Sequence, residues 1–80
     1  MDYLPGMLVK AKKGRDKDHI YVITNVDSRY VYVADGSSRT VCHIKRKNRK
    51  HLQLIKKTQC MNYADDDAIK TTCLNAVKGL

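Results

Sequence analysis

Two features of this 80-residue sequence could do chemistry: a cysteine next to a histidine, and a dense run of basic side chains around them. A cysteine with a nearby base can act as a nucleophile, which requires a contact of roughly 3 Å between the two groups. Cys42 and His43 fall in a segment that we predict to be a strand, where neighbouring side chains leave opposite faces. The sequence therefore predicts that this chain is not an enzyme.

Zinc binding is the other chemistry open to these residue types. Cys42, His43, His51 and Cys60 carry suitable donor atoms. However, structural zinc sites use pairs of ligands roughly two to five residues apart, and that pairing is absent here. Three cysteines without an export signal also argue against a disulfide framework, so small buried hydrophobes are the expected role. We predict no metal and no cofactor.

The basic run covers residues 39–57, with eight Lys and Arg side chains and no acidic residue. The like charges of such a block repel one another, which destabilises a small protein unless the block binds a polyanion. RNA and DNA are the first candidates for that polyanion. A well-solvated face is the alternative interpretation.

The surplus charge is confined to the first part of the chain. Residues 1–57 hold fourteen Lys and Arg against five Asp, a net of +9, whereas residues 58–80 hold two Lys against three Asp, a net of −1. Neutralising phosphates with such a surface releases counterions, which gives an affinity that falls with salt. The first part of the chain is therefore the expected nucleic-acid surface.

Alternating apolar residues and turn signals position this surface on a small β-structure. The predicted strands are residues 7–12, 19–26, 30–34, 40–44 and 52–55. In the fourth strand, Cys42 and Ile44 are predicted to point inward and His43 outward with Arg39. Residues 45–51 are then a basic turn. Short strands at this spacing predict an antiparallel barrel, which protects its edges by closing.

The tail has a different pattern. Asp65, Asp66 and Asp67 supply an N-cap and negative charge at a helix start, and Gly79 lies where a glycine would end the helix. The expected organisation is a barrel over residues 3–57, a linker over 58–64 and an amphipathic helix over 65–78, packed on the barrel or on a partner. No apolar run approaches the roughly 20 residues of a membrane span, so a cytoplasmic protein without membrane contact is expected.

Residues 12–18 are predicted to form a loop whose glycine permits an unusual backbone conformation. Arg15 offers a planar fork for phosphate, and Asp16 could hold that fork or cap the turn. An ordinary hairpin loop is the alternative. His19, His43 and His51 lie beside charged residues, where a ring can stack or hydrogen-bond to RNA, or simply pack.

The order of these features resembles the KOW-domain proteins over about residues 4–56. The resemblance is closest to the archaeal and eukaryotic large-subunit ribosomal protein fourteen family and its short bacterial RNA-binding relatives. The features that carry it are the loop of Gly14, Arg15 and Asp16, the Asp35-Gly36 turn, and the block from residue 39 to Leu52 with its Lys-Asn-Arg-Lys-His-Leu ending.

The resemblance implies an SH3-like barrel that binds ribosomal RNA of the large subunit, with ribosomal proteins as further partners, and that is a monomer when free. Asp18 departs from the family, which usually has a second glycine here; Asp tolerates left-handed backbone, but its charge weakens phosphate approach. The predicted RNA-contacting residues are Arg15, Lys17, Arg39, His43, Lys45, Arg46, Lys47, Asn48, Arg49, Lys50 and His51.

A protein-interaction module of the transcription or translation machinery is the alternative function, because KOW barrels also occur in elongation factors. In that case the apolar face of the helix would dock a partner. DNA binding is less favoured, since the basic region has no recognition-helix pattern.

Overall fold

The structure of this chain, a computed structural model, describes residues 3–78, excepting the side chains of residues 56 and 57. Gly79, predicted to end the helix, lies outside the described residues. The elements are β1 (Met7–Ala11), β2 (Ile20–Val26), β3 (Tyr30–Ala34), β4 (Lys45–Asn48), a 3-10 turn (Arg49–His51), β5 (Leu52–Gln59) and α1 (Asp66–Lys78).

All five strands belong to one antiparallel sheet, in the order β4-β3-β2-β1-β5. Register shifts next to Met7 in β1 and within β2 after Ile23 mark irregular pairing, which strengthens the local twist of the sheet. The predicted fold class, a mainly-β small barrel of about five strands with one C-terminal helix, is confirmed. The curled sheet is compatible with an SH3-like barrel.

The sheet buries apolar residues on both faces because β1, β2 and β3 carry them at successive positions. One cluster contains Leu8, Ile20, Val22 and Ala34, with Ile69 and Cys73 of α1 packed against them. The other cluster fills the opposite face; its buried members are Val9, Ala11, Tyr21, Ile23, Val31, Val33 and Leu52. The helix is therefore part of the core of the first face.

The helix begins as the acidic triplet predicts. Asp65 accepts a hydrogen bond from the backbone N–H of Ala68 through its carboxylate at 3.2 Å, and its carbonyl accepts from Ile69 at 3.0 Å. Asp66 and Asp67 lie in the first turn, where the macrodipole favours negative charge. Within residues 3–78, no helix is long and apolar enough to cross a bilayer.

The secondary structure predicted for residues 40–51 is wrong. Residues 40–44 form no strand, and Cys42 and Ile44, expected to point inward, are exposed. This segment is instead a loop held by the helix: the carboxylate of Asp66 accepts a hydrogen bond from the backbone N–H of Val41 at 2.8 Å. Strand β4 begins only at Lys45, within the predicted basic turn, and β5 extends to Gln59, past the predicted end at Ile55.

Two backbone predictions are confirmed. Gly36 of the predicted Asp35-Gly36 turn has φ +82°, the left-handed conformation that glycine supplies to a turn without strain. Asp18 also lies in the left-handed region at φ +72°, a conformation that aspartate tolerates.

Candidate nucleic-acid interface

Strand β4 presents its four polar residues on two different faces. Lys45 and Lys47 pair with Val33 and Val31 of β3, so they extend toward the face of the second apolar cluster. Arg46 and Asn48 lie on the other face, and both are exposed. The basic run is therefore divided by the alternation of a strand.

Asp16 of the first loop binds both lysines of β4. Its carboxylate lies 2.7 Å from the Lys47 ammonium and 3.2 Å from that of Lys45. It also accepts a hydrogen bond of 2.7 Å from the hydroxyl of Tyr21. We expected Asp16 to hold Arg15 or to cap its own turn; instead it connects the loop to a strand about thirty residues further along the chain.

The protonation equilibrium of Asp16 reflects these contacts. Burial by itself would raise the pKa of this carboxyl, but the hydrogen bonds from Lys47, Tyr21 and Lys45 outweigh it and hold the pKa well below its usual range. Burial and the hydrogen bond to the Asp16 carboxylate raise the pKa of Tyr21, so its phenol stays protonated as a donor. Asp16 is thus a carboxylate at neutral pH that partly neutralises two lysines.

Asp16→Asn should lower the free energy of unfolding by about 1–3 kcal/mol at neutral pH, because it removes charge-assisted hydrogen bonds and leaves two ammonium groups close together. The folded pKa of Asp16 is depressed. Its contribution is therefore complete above the unfolded pKa near 4, and it is lost as pH falls through the lower folded pKa. Urea unfolding of both proteins between about pH 7 and pH 2 measures this.

The difference in stability between the two proteins should shrink as pH falls below about 4. Asp18→Asn is the matched control, because Asp18 is an exposed neighbour in the same loop and asparagine accepts its left-handed backbone equally well. A stability difference for Asp16→Asn that is equal at pH 7 and pH 2 would show that its ion pairs contribute nothing.

Arg46 and Arg49 both contact aromatic rings. The Arg46 guanidinium lies 4.4 Å from the centroid of the Tyr30 ring, and that of Arg49 lies 5.9 Å from the Tyr3 ring. Arg49 also donates a hydrogen bond to the backbone carbonyl of Asp27. Arg49 is half-buried and holds the turn between β2 and β3, whereas Arg46 is exposed. Arg46 is therefore the more accessible of the two arginines.

Asn48 has a local structural task. Its side-chain carbonyl accepts the backbone N–H of Lys50 at 3.0 Å and so caps the 3-10 turn. Because a backbone N–H can only donate, the oxygen of the amide must face it, and the amide N–H groups remain for other partners. Asn48, predicted to contact RNA, therefore keeps both amide N–H donors and one lone pair of its oxygen for other partners.

The 3-10 turn lies beside the start of the first loop. The backbone N–H of Lys12 donates to the carbonyl of His51 at 2.8 Å, and Ala11 pairs with Leu52 across β1 and β5. Lys50 and His51 are exposed, as are Arg15 and Lys17 on either side of Asp16 in the chain. These contacts, with those of Asp16, join the first loop to the end of the 3-10 turn and to two lysines of β4.

Arg39 and His43 lie elsewhere, in the loop between β3 and β4. The buried carboxylate of Asp35 organises the start of this loop, accepting the backbone N–H groups of Ser37 and Arg39 at 2.9 and 2.8 Å and binding His19 at 2.7 Å. These bonds lower the pKa of Asp35, against the opposing effect of burial. Among the described residues, no hydrogen bond or ion pair connects the side chain of Arg39 or His43 to the first loop, to β4 or to the 3-10 turn.

Sequence reasoning missed the two tyrosines of β3 on the surface. Tyr30 and Tyr32 are half-buried and lie opposite Asn48 and Arg46. The alternating pattern of residues 30–33 was the available signal, because it places two valines on one face and two tyrosines on the other. Lys12, which follows β1 and lies next to the 3-10 turn, was also left out of the predicted set.

The side chains considered for catalysis and metal binding are dispersed. Cys42 and His43 are both exposed in a loop, and Cys60 is buried in the first apolar cluster. Burial raises the pKa of the Cys73 thiol to about 12, so this group is a poor nucleophile. Among residues 3–78, no three His, Cys, Asp or Glu side chains are grouped closely enough to hold a metal ion.

No protein-family model matches the chain, and no curated protein matches it significantly. The resemblance to KOW-domain proteins therefore stays a prediction that depends on the residues that carry it.

Proposed function

We propose that this chain is a non-enzymatic RNA-binding protein of the cytoplasm, a ribosomal or ribosome-associated KOW protein that binds ribosomal RNA of the large subunit. Its phosphate contacts come from Arg15, Lys17, Arg46 and Lys50. His51, exposed at the end of the 3-10 turn, adds a ring that can stack or hydrogen-bond.

The observation that carries this proposal is the contact of Asp16 with Lys45 and Lys47. It places the first basic loop against the basic strand, so two segments far apart in sequence form one electropositive surface. Such a surface releases counterions as it neutralises phosphates, which gives affinity without requiring a base sequence.

Lys45 and Lys47 have a structural role in this surface and are poorly placed to bind phosphate. Their side chains are only 33% and 11% exposed, and each ammonium is paired with the Asp16 carboxylate. Moving either one to a phosphate would break that pairing. The exposed cations around them are therefore the better phosphate ligands.

Protection of a sheet edge is a competing explanation for part of the charge. Strand β4 is at the edge of the sheet, and lysines on an edge discourage pairing with another chain. That explanation covers Lys45 and Lys47, but it gives no reason for exposed cations in the first loop and the 3-10 turn. RNA binding accounts for the lysines of β4 and for these exposed cations.

Ultraviolet crosslinking in cells, followed by identification of the bound RNA, tests the proposal. We expect recovery of large-subunit ribosomal RNA, with crosslinks at residues of the first loop and of residues 45–51. Messenger or small RNA without ribosomal RNA would contradict the ribosomal assignment, and a protein that crosslinks to no RNA would contradict RNA binding itself.

The alternative, a protein-interaction module of the transcription or translation machinery, is favoured by one observation. Leu74 and Val77 of α1 are each more than half exposed, although the same helix buries Ile69 and Cys73 against the sheet. Under this alternative, Leu74→Ser with Val77→Ser would abolish capture of a protein partner. Under RNA binding, the same double variant would crosslink to RNA like the wild-type protein.

A further inference from the structure

The face of the sheet that carries Tyr30 and Arg46 has a geometry that phosphate binding does not require. Tyr30 pairs with Asn48 and Tyr32 with Arg46, so these four side chains share one face at the edge of the sheet. The Arg46 guanidinium lies over the Tyr30 ring at 4.4 Å, and Arg46 is exposed. A charged plane is thus already stacked on an aromatic ring.

The neighbouring turn holds this face in place. The Tyr32 hydroxyl donates to the Asp27 carboxylate at 2.6 Å, and Asp27 also accepts the backbone N–H groups of Arg29 and Tyr30 at 2.8 and 2.6 Å. The hydrogen bond from Tyr32, followed by those from the backbone, lowers the pKa of Asp27 to about 2. The turn is therefore fixed at neutral pH, and it holds the Tyr32 ring and the backbone of Tyr30 before any ligand arrives.

We infer that this face stacks an unpaired base of single-stranded RNA on the Arg46 and Tyr30 pair. Unpaired bases stack on aromatic rings and on arginine planes, whereas a base inside a duplex has both of its faces covered. This inference rests on the proposed RNA binding and specifies its ligand as a segment with at least one unpaired base.

Fluorescence anisotropy with two labelled strands of equal length tests the inference, one of oligouridylate and one abasic throughout. The two strands carry the same phosphates but differ in bases. Wild-type protein should bind the oligouridylate tighter by a factor on the order of ten, because stacking adds to the phosphate contacts.

Arg46→Lys is the decisive variant, since it keeps the charge and removes the plane. It should lose most of the preference for oligouridylate over the abasic strand. Tyr30→Val should give the same loss, and Tyr30→Phe, which keeps the ring, should bind like wild type. Circular dichroism checks that the Tyr30 variants are folded.

The outcomes separate this inference from the proposal beneath it. Equal affinity of wild type for both strands, or full oligouridylate affinity in Arg46→Lys, would overturn base stacking while leaving phosphate binding intact. Failure of wild type to bind either strand would overturn both.

Discussion

Among the glycines that the structure describes, Gly36 should be the least tolerant of alanine, and Gly36→Ala should lower the free energy of unfolding by about 2–4 kcal/mol. Gly36 has φ +82°, where an L residue is strained. A Cβ there would also lie 2.4 Å from the carbonyl oxygen of Asp66 and 2.8 Å from the backbone N–H of Lys70. Because these atoms belong to the helix backbone, relief requires the helix to move off the sheet. Urea unfolding measures the loss.

Gly14→Ala is the matched control for this prediction. Gly14 has a similarly positive φ of +93°, but the nearest atom to an added Cβ is a side-chain oxygen of Asp16 at 3.4 Å. We therefore expect only the backbone strain, about 1–2 kcal/mol. Equal losses for the two variants would mean that the close approach of α1 to Gly36 contributes nothing to stability.

Lys17→Gln combined with Lys50→Gln should weaken RNA binding by roughly tenfold or more at low salt, with little change in stability. Both side chains are exposed, one in the first loop and one in the 3-10 turn. If each contacts one phosphate, the slope of log K against log salt should become shallower by about 1.4–1.8. A salt titration of binding to structured RNA measures both quantities.

The helix provides a control with the same change in charge. Lys70 and Lys78 are exposed lysines of α1 that are outside the proposed phosphate-contacting set. Their replacement by glutamine should leave the salt slope almost unchanged. If both double variants lose the same affinity and slope, the protein attracts RNA through its net charge and has no localised site.

The strands with apolar alternation could be predicted from the sequence because their burial follows from local pattern. Residues 19–26 and 30–34 alternate or run apolar between turn signals, and the observed β2 and β3 agree to within one residue. The helix start was also predictable, since three aspartates form a local capping signal.

The region of residues 40–51 could not be predicted because its structure depends on distant partners. Val41 is fixed by Asp66, and Lys45 and Lys47 by Asp16, contacts that no local pattern reveals. Four consecutive polar residues indicate a turn, yet Lys45–Asn48 form a strand because β3 pairs with them along an edge, where charged side chains are tolerated.

The basic residues of the candidate site could be predicted from the sequence, but the role of each one could not. The first loop does contact residues 45–51, through Asp16 with Lys45 and Lys47 and through Lys12 with His51. However, Arg49 and Asn48 hold turns, two lysines are paired with Asp16, and Tyr30 joins the surface. Charge can be counted in a sequence, whereas the division of cations between structural pairs and solvent depends on the folded sheet.

The salt dependence of RNA binding by the wild-type protein tests the central claim most directly. Four phosphate contacts, from Arg15, Lys17, Arg46 and Lys50, predict that log K for a large-subunit ribosomal RNA fragment falls against log salt with a slope of about −3 to −4. An affinity that does not change with salt would contradict electrostatic RNA binding by these cations.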